Sequence, residues 1–368
     1  MIPREPLLTK VPVRFATLAV AVAVGTGCAS ADRVAFSPHE LRSAVANRIP
    51  AAQAGQIVVP YEATPEMVAL AREYAGGESS DYARADALVR AITASHQFDV
   101  QWVPVATTVA AETLTNGHGN CLSMTSLFVG LARELGLTAF YIDASDRIND
   151  VQRDSELIVD TGHIAASVRT ERGWRLVDFT GGISDYRTFR MIDDIEALAH
   201  FYNNRGYEQI SLASNEGREV DWTDALNDFQ LATYIKSDFA RAQNNLGVAH
   251  ARLGDDDAAK IAYTLAVRTD EDFAAPRHNL GNLSLRREDP STAAYWYTLA
   301  IKLQKDNPYA HYHLGIALSQ AGDIEGSIKA FEKAIALKRD YAEPRVLLAA
   351  AFRRQGRMEE AERVRTRQ

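Results

Sequence analysis

Cysteine is almost absent from this chain: there are two in 368 residues, Cys28 and Cys121. That excludes a disulfide scaffold and the multi-cysteine zinc sites. Long apolar runs are scarce too. The one clear case, Phe15 to Val24, falls short of the ~20 residues that a permanent membrane helix needs. A basic excess is also missing. With 48 acidic residues against 40 basic and a formal net charge of −8, no positive field exists for a phosphate backbone, so nucleic acid is excluded as the principal partner. No glycine-rich phosphate loop of the required form and no metal-ligand spacing occurs, so nucleotide, flavin and metal cofactors are not expected.

What is present suffices for more than one core. A chain of this length exceeds what one hydrophobic core usually organises, and 46% hydrophobic residues is ordinary for globular protein. Residues 1–31 read as an export signal outside the fold, with Arg4, Lys10 and Arg14 leading into the apolar run. Gly25-Thr26-Gly27-Cys28 resembles a bacterial lipobox, although Gly25 stands where leucine is usual. The resemblance implies lipidation at Cys28. Ala29 after that cysteine resembles the outer-membrane address of Gram-negative lipoproteins, so the expectation is an anchored protein facing the periplasm, held to the membrane by its lipid alone. Several acyl chains anchor stably because each buried CH₂ contributes roughly 0.8 kcal/mol. The alternative is cleavage after Ala31 at Ala29-Ser30-Ala31, which yields a soluble secreted protein.

The second half repeats. Leu246-Gly247, Leu280-Gly281 and Leu314-Gly315 lie 34 residues apart, and each is followed by a small residue (Ala259, Ala293, Ser327), an aromatic (Tyr263, Tyr297, Phe331) and an alanine (Ala266, Ala300, Ala334) on one helical face. The small residue admits a close helix pair and the aromatic fills the gap between pairs, so the core comes from stacking. This pattern resembles the tetratricopeptide repeat. A truncated copy begins at Ala342, with Ala349 at the glycine place and Arg365 at the aromatic place. A hidden first copy has Gly206 in its first helix and Ala225, Phe229 and Ala232 in its second, with a lengthened turn between. The four histidines His250, His278, His311 and His313 lack a metal-like arrangement. The Asp255-Asp256-Asp257 run reads as favourable first-turn charge on a helix.

The first half carries the chemistry. Gly117-His118-Gly119-Asn120-Cys121 leads into a helix with Met124, Phe128, Leu131 and Leu135 on one face, stopped by Gly136. Cys121 therefore sits on a first helical turn, where unpaired backbone N–H groups and the helix dipole favour a thiolate. Thr138–Asp143 reads as a strand and 147–156 as a charged loop. His163–Arg169 and Trp174–Phe179 read as a hairpin across Glu171-Arg172-Gly173, which would bring His163 near Asp178. In that arrangement His163 would take the Cys121 proton and Asp178 would orient the imidazole. The Cys121 N–H is one oxyanion donor; Gln101, Trp102 and Asn116 are candidates for a second. His118 is a rival base without a partner acid.

Gly119-Asn120-Cys121-Leu122-Ser123, the helix ending Ala132 to Gly136, a histidine 42 residues after the cysteine and Val177-Asp178-Phe179 resemble the transglutaminase-like superfamily of papain-like thiol enzymes. The resemblance spans about 97–185. It implies the roles of Cys121, His163 and Asp178 and no cofactor, but not one reaction, because members include cross-linkers, peptidases, deamidases and inactive copies. The expected organisation is a leader and anchor region (1–31), a helical extension (32–96), an α+β papain-like, transglutaminase-like domain (97–195) and an all-α repeat solenoid (197–368). The expected function is a thiol enzyme acting on amide bonds of protein or peptide, with the repeats recruiting substrate or a protein partner through their groove. The alternative is a non-catalytic envelope scaffold.

Overall fold

A computed structural model describes residues 14–16, 35–55, 57–144, 151–154, 157–160, 162–180 and 189–366. Cys28 lies outside them. The chain divides into two compact units, one of residues 1–150 with 161–237 and the other of 151–160 with 238–368.

In the first unit, α1 (Pro38–Ala46), α2 (Ala51–Ala54), α3 (Pro65–Ala75) and α4 (Asp81–Thr93) precede a short strand β2 (Gln101–Trp102), α5 (Ala110–Asn116) and β3 (His118–Gly119); β1 is Arg14–Ala16. The central helix α6 (Cys121–Glu134) follows, then β4 (Ala139–Asp143). After the excursion of β5 (Val151–Asp154) and β6 (Leu157–Asp160) into the second unit come β7 (Ile164–Thr170), β8 (Gly173–Asp178) and β9 (Arg190–Ile192). The main sheet runs β1-β8-β7-β4-β9, antiparallel throughout, while β2 and β3 pair parallel.

Three expectations change here. Residues 14–16, read as part of a leader outside the fold, pair with Asp178, Val177 and Leu176 at the sheet edge. The α6 helix is not amphipathic: every residue from Leu122 to Ala132 is buried, because α3, α4 and α5 cover it on one side and β7 on the other. Gly130 shows how close the cover is, since a Cβ there would stand 2.1 Å from the Tyr61 carbonyl oxygen. For the same reason 32–96 is no appendage, as α3 and α4 are walls of the α6 core. The expected stop at Gly136 is present, with φ +77° just past the helix end.

The helices α7 (Asp194–Asn215) and α8 (Trp222–Ile235) form the hidden repeat hairpin, and a Cβ on Gly206 would meet the Phe229 ring at 2.8 Å. They belong to the first unit, not to the solenoid. The cause is polar as much as apolar: Arg133 of α6 grips Asp194 at 2.8 and 2.9 Å, and Arg48 donates to the Ile235 carbonyl.

The second unit stacks α9 (Ala240–Arg252) on α10 (Asp256–Thr269), α11 (Ala275–Arg286) on α12 (Pro290–Leu303), α13 (Pro308–Gln320) on α14 (Ile324–Leu337) and α15 (Ala342–Arg354) on α16 (Met358–Thr366). Each repeat glycine lies under the ring 16 residues on: a Cβ would meet Tyr263, Tyr297 or Phe331 at 2.6, 2.6 and 2.5 Å. Asp255 caps α10 as Asp289 and Asp323 cap the equivalent helices, each accepting the N–H three residues on at 2.8–3.0 Å. His278 and His313 pack edge to face at 5.1 Å beside Tyr297, as core rings. Among the described residues, no helix is long and apolar enough to cross a membrane.

Candidate functional site

Asn120 builds the start of α6. Its Oδ1 accepts from the Ser123 N–H at 3.0 Å, its Nδ2 donates to Thr107 Oγ1 at 2.7 Å, and its own N–H donates to the Ala106 carbonyl. Ser123 completes the lacing, donating to that same carbonyl and accepting from the Thr108 N–H, both at 2.8 Å. The loop 106–108 is thus stitched to the first turn, and Cys121 is presented half-buried on a rigid edge. Gly119 makes the approach possible, because a Cβ there would stand 2.8 Å from the Ser123 Cβ. Ser123, Thr125 and Ser126 are buried within the helix, so none presents its hydroxyl as an accessible nucleophile.

One turn along, Thr125 donates to the Ile164 carbonyl at 3.3 Å, which pins α6 beside the residue after His163. The β7–β8 register pairs Thr170 with Gly173 and Ala166 with Val177. Carried one step further it sets Ala165 opposite Asp178, so His163, two residues back on the same face, reaches the carboxylate diagonally. His163 Nε2 stands 3.4 Å from Asp178 Oδ1. The Asp178 side chain is fully buried, and it accepts from the Thr180 N–H at 2.9 Å and from Thr180 Oγ1 at 2.8 Å.

Three predicted residues therefore converge. Cys121 is close enough to His163 to act on the histidine's titration. Burial, the largest influence, pushes the His163 pKa down. Hydrogen bonding to Asp178 and then to Cys121 outweighs it, and the pKa rises to about 10.

The second-donor candidates separate. Trp102 lies in the strand beside Gly119, and its indole Nε1 is buried without a hydrogen-bond partner among the described residues. Gln101 pairs with His118 in the same small sheet, and Asn116 is exposed at the end of α5. His118 is exposed and its Nδ1 sits 2.9 Å from the Asn116 carbonyl, which removes it as a rival base. Thr180 and Thr107 were missed, although Asp178-x-Thr180 has the spacing of an Asx turn and Asn120-x-x-Ser123 that of a helix cap.

The fold also gathers Asp143, Glu196 and His200, whose ligand-type atoms lie within 4.8 Å of one another. Spacing alone hid this group, because strand and helix contribute separately. Two cations match its two carboxylates: Arg190, at 3.0 Å from Glu196 and 3.3 Å from Asp143, and Lys236, 3.8 Å from Glu196. The set is a closed ion-pair network rather than an open cation site.

Residues 68–179 match the transglutaminase-like superfamily core, and residues 240–273 and 308–341 match tetratricopeptide repeats. The core match begins inside α3, well before residue 97. No curated protein matches the chain. Among solved structures the chain is similar to MamA (20% identity over 42% of this chain and 88% of that one, TM-score 0.38). It is also similar to MamA from Desulfovibrio magneticus RS-1 (19%, 46% and 91%, 0.40) and to YrrB, described as a TPR protein with an unusual peptide-binding site (19%, 45% and 82%, 0.38). The chain joins a transglutaminase-like core domain to tetratricopeptide repeats.

Proposed function

We propose that the protein is an exported thiol enzyme that acts on amide bonds of protein or peptide, with the repeats engaging a protein partner or substrate. The observation that carries this reading is the convergence of a half-buried thiol, a buried histidine of raised pKa and a fully buried carboxylate on one edge of α6. The reading places the mature protein at the outer membrane, anchored through acylated Cys28 and facing the periplasm; processing at Cys28 removes the edge strand β1 and leaves β8 at the border of the main sheet.

In the reaction, His163 holds the proton of Cys121 and leaves a thiolate beside an imidazolium. The Cys121 sulfur attacks the amide carbonyl carbon, and negative charge collects on the carbonyl oxygen. The Cys121 backbone N–H and the Trp102 indole N–H are donors suited to that oxygen. A buried N–H without a partner costs about 1–3 kcal/mol, and Trp102 Nε1 has none among the described residues, which leaves it available to an oxygen of the substrate in this reading. Collapse breaks the C–N bond, His163 passes its proton to the departing amine, and a thioester remains. Water or an acceptor amine then attacks the thioester, returns its proton to His163 and frees the thiolate. Asp178, held by Thr180, keeps the imidazole oriented and its charge matched throughout.

The test is the alkylation rate of Cys121 by iodoacetamide as a function of pH, in wild type and His163→Ala, with the modified peptide identified by mass so that Cys28 is not counted. Wild type should react at a steady rate well below the pH at which an ordinary thiol ionises, and the substitution should remove that plateau. Identical profiles, or a thiol that reacts only after denaturation, would defeat the enzymatic reading and favour a scaffold.

A further inference from the structure

The segment between β4 and His163 does not stay with the α/β unit. It forms a hairpin of β5 and β6, with Val151 opposite Asp160 and Asp154 opposite Leu157, and belongs to the repeat unit, where β6 packs against α9 and α11. These are the first helices of successive repeats. Two features make that face a suitable bed for an extended acidic segment. Neither α9 nor α11 contains an acidic residue, while each holds two arginines, Arg241 and Arg252, Arg277 and Arg286, of which Arg286 also pairs with Asp256 of α10. The hairpin sequence from 151 to 160 has Asp154, Glu156 and Asp160 against the single Arg153. The helices also carry a buried row of side-chain amides, Gln243, Asn244, Asn245 and Asn279, linked in part by the 2.9 Å bond from Asn279 to Asn244. Amides can pair with strand backbone whatever its side chains.

We propose that the α9–α11 face is a docking surface for an acidic, extended segment with aliphatic residues, and that its resident ligand is the chain's own β5–β6 hairpin. A protein partner must present the same chemistry and displace that hairpin. A two-stranded hairpin by itself is at best marginal in water, so its order depends on the helices beneath it. Its covalent tether gives it a high effective concentration, which a partner has to overcome. Displacement reaches the candidate site through the chain itself, because β6 ends three residues before His163. This deepens the reading of the repeats as a partner-binding element and uses no property of the thiol.

The experiment uses the full chain carrying Cys121→Ala, so that its outcome is separate from that of the thiol chemistry. A fluorescein-labelled synthetic peptide of residues 149–162 is titrated against this chain and against one whose residues 151–160 are replaced by ten glycine and serine residues. Binding to the replaced chain should be at least tenfold tighter and should weaken with added salt. No saturable binding to the replaced chain, or equal binding to both, overturns the proposal. A second reading needs no replacement: backbone amides of 151–154 and 157–160 should be protected from hydrogen exchange in the unreplaced chain. Exchange there at the rate of an unstructured peptide also overturns it.

Discussion

His163 shows how one buried residue couples the site to the fold. Burial alone would favour the neutral ring, but Asp178 and Cys121 raise its pKa to about 10, above the ~6.5 of an unfolded chain. A raised folded pKa means that the charged histidine contributes its full stabilisation below about pH 6.5 and loses it as pH climbs toward 10. The urea midpoint of wild type should therefore exceed that of His163→Gln most clearly near pH 6.5, and the gap should shrink toward pH 10. A gap that stays constant across the window would mean the ring is neutral throughout. At this scale much of the site was legible. Order and spacing pointed to Cys121, His163 and Asp178, because a hairpin about a turn has a computable register. The Thr180 contact and the Trp102 indole, without a partner among the described residues, were not legible, since both depend on side-chain direction and burial.

At the scale of elements, the repeat hairpins rest on a glycine that is absent where the ring is absent. Gly247, Gly281 and Gly315 lie under Tyr263, Tyr297 and Phe331, whereas the last pair has Ala349 with Arg365 in place of an aromatic. Gly281→Ala would press a methyl against the Tyr297 ring at 2.6 Å and should cost about 1–3 kcal/mol in chemical denaturation, as overpacking does. No loss of stability would mean that the ring has room to move. Period and residue type carried this pattern because each repeat is one local unit. The first hairpin was legible for the same reason: Ala225, Phe229 and Ala232 lie 34 residues before Ala259, Tyr263 and Ala266, and the structure adds that Asp221 caps α8 34 residues before the Asp255 cap. The burial of α6 on every side was not legible, because its second cover comes from α3 and α4, distant in sequence and without a pattern of their own.

At the scale of the whole molecule, the division between the units falls after residue 237, so the first repeat hairpin answers to the α/β core. The tie is the Arg133–Asp194 pair, with the Asp194 side chain fully buried and its Oδ2 also accepting from the Phe36 N–H at 2.8 Å. Asp194→Asn leaves the Arg133 charge without its anion, a loss of about 3–5 kcal/mol for a buried pair. Hydrogen exchange should quicken together in α6, α7 and α8, while α9 to α16 keep their wild-type rates. Quickening in α9 to α16 as well, or none in α8, would show that the cooperative units are drawn elsewhere.

The sequence by itself determined the repeat architecture, singled out Cys121, His163 and Asp178 as candidate site residues, and located the helix and strands that carry or adjoin them, because helix period, strand alternation and turn position are local properties of the chain. Only the tertiary structure decided which unit each segment joins. It gave α3 and α4 to the wall of α6, tied α7 to α6 through Arg133 and Asp194, and gave the β5–β6 hairpin to the repeat helices. Such choices depend on which buried faces and charges meet across long stretches of chain, and no local pattern encodes that meeting.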